Sequence, residues 1–71
     1  MKLHYYAETD SLYIELTQHP GTETREIESG LVVDLDIHGH VVGIDIDHAS
    51  QKIDLQTLEL MELPLHSTKI S

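Results

Sequence analysis

A chain of 71 residues makes one small domain, and a domain this short hides only about 60% of the surface its unfolded form exposes. It has no cysteine, so disulfides and thiolate zinc sites are excluded. Thirteen acids stand against Lys2, Arg25, Lys52 and Lys69, a net charge of -9, and that field repels phosphate, which argues against nucleic acids and anionic membrane surfaces as partners.

Phe and Trp are absent, so the core must be built from Leu, Ile and Val with help from Tyr5, Tyr6 and Tyr13. The opening MKLHYYAETD is too polar for a signal peptide, and no apolar run nears the ~20 residues that span a bilayer. Together with the missing cysteines this points to a reduced, cytoplasmic setting.

Leu3 to Tyr6 reads as a first strand, closed by an AETD turn in which Asp10 and Ser11 can bond nearby backbone. Leu12, Ile14 and Leu16 alternate with Tyr13, Glu15 and Thr17, the period of a second strand. His19-Pro20-Gly21 marks a loop. Thr22 to Glu28 is charged and Thr-rich, which suits a strand near an edge. Glu28-Ser29-Gly30 is a tight turn, with Gly30 free to take positive φ.

The strongest pattern follows. LVVDLDI (Leu31 to Ile37) and VVGIDID (Val41 to Asp47) each alternate apolar and acidic side chains around a polar His38-Gly39. They read as a hairpin with Leu31, Val33, Leu35, Val42, Ile44 and Ile46 on a core face and the aspartates in water. Parity allows Val33 opposite Ile44 with a two-residue loop, or Val33 opposite Val42 with a four-residue loop. A three-residue loop is rejected, because it would put Leu35 on the face of Val41 and Asp45.

His48-Ala49-Ser50 closes the strands. Ile53 to Leu63 is ambiguous. Asp54 could cap a short helix carrying Leu55, Leu58 and Met61, the preferred reading, while Leu58, Leu60 and Glu62 alternate as a strand would. Pro64 stops either. The expected fold is mostly β (α+β): a small antiparallel β-meander of about five strands with a short C-terminal helix, as one domain over 1–64 with a flexible tail over 65–71. The core is Leu12, Ile14, Leu16, Leu31, Val33, Leu35, Val42, Ile44 and Ile46, each aliphatic chain contributing roughly 1.5–3 kcal/mol when fully hidden.

No catalytic residue is assigned. The chain has no G-x-S-x-G elbow, glycine-rich phosphate loop or cysteine nucleophile. Asp34, Asp36, Asp45 and Asp47 share a face, but they match no calcium loop, and a solvated outer face accounts for them. Asp36, His38, His40 and His48 are the candidates for a metal, short of any zinc spacing, since H-E-x-x-H and similar motifs are absent. No cofactor or metal is expected.

Several blocks in order, DSLYI (10–14), TREIESG (24–30), VDLD (33–36) with Gly39, and VVGIDI (41–46) closing on Ala49-Ser50, resemble the bacterial domain-of-unknown-function family numbered 2283. The likeness covers Leu3 to Lys52. Ile37 stands where a polar turn residue is usual, and Asp45 where Glu is. The resemblance implies the fold and lends no catalytic residues. It also implies a partner, since some members look like the antitoxin half of toxin–antitoxin pairs, beside a small basic toxin. The expected function is a non-enzymatic interaction module: a homodimer, because thin β cores gain stability by self-association, with a small basic protein as a further partner. The alternative is a small metal-binding or hydrolytic protein using the Asp/His residues of the central hairpin.

Overall fold

A computed structural model of the chain describes residues 1–64; the expected tail, 65–71, lies outside the described residues. Five antiparallel strands form one sheet: β1 (Lys2–Tyr6), β2 (Ser11–Glu15), β3 (Glu23–Glu28), β4 (Leu31–Leu35) and β5 (Val41–Ile46), followed by a one-turn helix α1 (Ala49–Lys52). Each strand lies where the sequence placed one, β2, β4 and β5 by period-two alternation and β3 by its charged, Thr-rich composition. The spatial order is β1-β2-β5-β4-β3. Strands β3, β4 and β5 run as a meander, and β2 lies beside β5 rather than β3, so residues 16–22 cross the end of the sheet. Three inter-strand steps need about 14 Å, well within the reach of that segment. The charged strand β3 is an edge, as its composition demands.

The registers sort the side chains into two faces. Leu3, Ile14, Ile44, Val33 and Arg25 form one row across the sheet, and Tyr5, Leu12, Ile46 and Leu31 another on the same side. The rows His4, Tyr13, Asp45, Val32, Glu26 and Lys2, Glu15, Gly43, Asp34, Thr24 point the other way. Apolar and carboxylate faces therefore separate, but the hairpin aspartates are not all in water as the alternation suggested: Asp36 is buried in the turn, and Asp34 and Asp45 are half-buried.

The β4–β5 turn corrects one expectation. Val33 does stand opposite Ile44, yet the loop has three residues, Ile37-His38-Gly39. The Asp36 amide donates to the His40 carbonyl (2.9 Å), the Gly39 amide donates to the Asp36 carbonyl (3.0 Å), and Gly39 has φ 82°. This is the three-residue hairpin whose last position is left-handed. The rejected loop becomes possible because the register shifts between Asp34 and Leu35, which takes up Val42 as an extra residue. Leu35 then faces Val41 and is still buried, while Val42 is buried beside Gly21, sharing that space with Asp34.

The helix is also displaced from its expected place. A short C-terminal helix exists, but it is Ala49–Lys52, and Ile53 to Leu63 is neither helix nor strand. The carboxylate of Asp54 accepts the Gln56 amide at 3.0 Å, a local turn in place of a cap. Ala49, fully buried, packs α1 on Leu12 and Ile46, with Ile14, Leu31 and Ile44 around them. That small cluster is the centre of the core. Outside it Leu35 and Val42 are also buried, while Ile14, Val33 and Ile44 on the apolar face and Tyr13, Asp34 and Asp45 on the other are all half-buried.

Candidate functional site

The four metal candidates do not converge. Asp36, His38 and His40 share the β4–β5 turn, while His48 follows β5 at its far end, about 20 Å away along a six-residue strand. Asp36 is committed to the turn. Its Oδ1 accepts the backbone amides of His38 and His40, each at 2.9 Å. The His40 amide bond above all, then the His38 one, holds the Asp36 carboxyl below the usual carboxylate range. The His40 ring lies outside, with Nδ1 3.9 Å from Asp36 Oδ2, and the His38 and His40 rings are 6.3 Å apart and tilted. Among the described residues, no three His, Asp or Glu side chains are grouped to hold a metal ion.

His48 has a backbone role. It precedes α1 with φ 52° and offers no side-chain cap. Asp10 does the capping from the β1–β2 turn. Its carbonyl accepts the Ala49 amide (2.8 Å), and its carboxylate accepts the Ser50 amide (3.1 Å) and the Ser50 hydroxyl (2.7 Å). The Tyr5 hydroxyl donates to the same carboxylate at 2.7 Å. The Ser50 hydroxyl, then the Tyr5 one, lowers the Asp10 pKa, and the hydrogen bond to Asp10 above all raises that of Tyr5. At the other end of α1, Lys52 Nζ donates to the Ser29 carbonyl at 2.8 Å, passing over Gly30 (φ 77°). Both latches were missed in the sequence, because each joins residues more than twenty positions apart.

The carboxylate face is built around Tyr13. Its ring lies across the bare backbone of Gly43, so that a Cβ there would run into the phenol oxygen and sit 2.6 Å from Cζ. The hydroxyl thereby reaches from β2 over β5 to β4 and donates to Asp34 Oδ2 at 2.7 Å. That bond chiefly, with partial burial and the Asp34, Glu15 and Asp45 charges, pushes the phenol up to about 12. Such a phenol is neither base nor nucleophile at neutral pH. Asp45 moves upward as well, through burial first and then the Asp47 and Asp34 charges. A glycine at an outward position of a central strand was the available signal that something crosses it.

A shallow depression on this face is lined by Tyr6, Thr9, Ser11, Tyr13 and Asp45. Ser11 Oγ donates to Asp47 Oδ1 at 3.5 Å, and no histidine lines the depression to act as its base. The Asp34 and Asp45 carboxylates are half-buried on the sheet surface, Asp34 accepting the Tyr13 hydroxyl and Asp45 lining the depression.

Residues 2–50 match the family model described as a protein of unknown function, DUF2283. The chain belongs to this family. The matched span takes in all five strands and stops inside α1. No curated protein and no solved structure matches the chain. The DUF2283 match thus covers the Tyr13–Gly43–Asp34 crossing, the Asp10 latch and the Asp36 turn, and assigns none of them an activity. No helix among the described residues is long and apolar enough to cross a membrane.

Proposed function

We propose that this DUF2283 chain is a non-enzymatic protein-interaction module that works as a homodimer. One observation carries the reading: a single-layer sheet leaves the middle of its apolar face, Ile14, Val33 and Ile44, only half-buried, with Leu3, Tyr5 and Val41 exposed beside them. The titratable groups support a structural use in place of a chemical one. Asp36 organises a turn, Asp10 caps a helix and Tyr13 bridges strands. The net charge of -9 and the carboxylate face support a small basic protein as the further partner, in the manner of an antitoxin. A cysteine-free chain suits a reducing cytoplasm.

Two measurements on the purified chain test this. Sedimentation gives the mass from low to high micromolar concentration, and affinity capture at low and high salt reports partners. The expected result is a dimer that retains a small basic protein at low salt and releases it at high salt. A monomer at every concentration with nothing retained overturns the reading. The metal-binding alternative gains no support, since Asp36 already accepts two amides and His48 stands at the opposite end of β5.

A further inference from the structure

The two edges of the sheet are not alike. Strand β3 carries Glu23, Glu26 and Glu28 and an irregularity between Glu26 and Glu28, both of which deter pairing. Strand β1, KLHYY, has no carboxylate, no proline and no register shift, and all five of its residues are exposed. It is an open template for another strand.

The backbone groups that it leaves unpaired among the described residues can be assigned. The Leu16 amide donates to the Val42 carbonyl at 2.9 Å, so Leu16 bonds toward β5. In an antiparallel ladder bonding direction alternates. Leu12 and Ile14 therefore also bond toward β5, and Ser11, Tyr13 and Glu15 bond toward β1. Their opposites on β1 are Tyr6, His4 and Lys2. The N–H and C=O groups of Leu3 and Tyr5 are left pointing away from the sheet.

We propose that β1 pairs antiparallel with β1 of a second copy, joining two sheets into one of ten strands. The statement rests on the homodimer reading and adds a contact along the β1 edge, which makes the apolar face of Ile14, Val33 and Ile44 continuous across both copies without covering it. A twofold axis between the two His4 residues puts Leu3 opposite the second copy's Tyr5, so that outward groups meet outward groups at both ends. It also puts Lys2 opposite the second copy's Tyr6. All five residues pair, and the two apolar cross-strand pairs lie on the apolar face. Charge selects a second copy at this edge. Each chain carries -9, and β1 is the strand that brings a lysine and no acid to the contact.

Leu3→Pro is the test. The proline removes an N–H that no other described residue accepts and keeps the β1–β2 ladder, as edge strands tolerate. Self-association should weaken at least tenfold in sedimentation while the melt at monomer concentrations stays cooperative. His4→Glu, an exposed change that sets two like charges opposite each other, should weaken it as well and covers the case in which the proline variant does not fold. In the native chain, the Leu3 and Tyr5 amides should exchange slowly with deuterium at dimer concentrations and fast on dilution. If the native chain is a dimer and both variants remain equally dimeric, the edge is wrong and the homodimer reading stands. If the native chain is a monomer throughout, both fall.

Discussion

Tyr13, Asp10 and Asp36 show how few side chains hold this sheet in shape, and each titrates in a telling direction. For Tyr13 the folded pKa, about 12, lies above the ordinary phenol value of 10.0. The folded state thus holds the proton more tightly, so its contribution is complete below pH 10 and is lost as pH rises toward 12. Ultraviolet titration should show one of the three tyrosines ionising last, and Gly43→Ala, whose new methyl displaces the ring, should abolish that lag and cost about 1–2 kcal/mol. Asp10 and Asp36 behave oppositely. Their folded pKa values are lowered, so their contribution is present above the ordinary carboxylate value and is lost as pH falls through the folded one. Carboxyl carbon titration should place both midpoints below the ordinary aspartate value, and Asp10→Asn should remove its share of the acid loss while keeping the left-handed backbone, which Asn tolerates.

Among the elements, the β4–β5 turn separates backbone strain from packing. Gly39 has φ 82°, and a Cβ there would meet nothing within 4 Å. Gly39→Ala should therefore destabilise by about 1 kcal/mol through conformation alone, and chemical denaturation should show an unchanged m-value with a lower midpoint. Strands β2, β4 and β5 were legible from their period-two alternation and β3 from its charged, Thr-rich composition, and so were the Gly30 turn and the edge character of β3. Two things were not. Parity arguments assume a regular ladder, and the shift that admits Val42 beside Gly21 breaks that assumption. Helix patterning at Leu55, Leu58 and Met61 had no surface to bury against, since those side chains remain exposed, while the turn that did become helical, ASQK, is held by Asp10 and Lys52 contacts rather than by propensity. Of the candidate ligands, Asp36, His38 and His40 share one turn, while His48, read together with them, stands at the other end of β5. That the carboxylate is consumed by the turn's own amides depends on the three-residue loop, which the pattern argued against.

For the molecule as a whole, charge and thin packing pull against each other. Ile44 sits in the middle of the apolar face, and Ile44→Asp should abolish the cooperative melt, because an unpaired carboxylate would replace part of a core that, among the described residues, has no fully buried large side chain. The opposite change on the other face should help. Asp45 is pushed upward by burial and by Asp47 and Asp34, so its ionised form opposes folding. The sign follows from linkage: relative to acid, stability falls as pH rises from the ordinary carboxylate value through the folded one, and the cost persists at neutrality. Asp45→Asn should then stabilise by about 0.5–1 kcal/mol at pH 7. Added salt should raise Tm in the native chain by screening the same repulsion, and should raise it less in Asp45→Asn. Thermal melts of both chains at low and high sodium chloride, near pH 7 and near pH 3, decide the matter. Equal salt responses would mean that the -9 charge is spread too evenly for this face to dominate. A stabilisation that persists at pH 3, where the aspartate is already neutral, would place its origin in packing instead of charge.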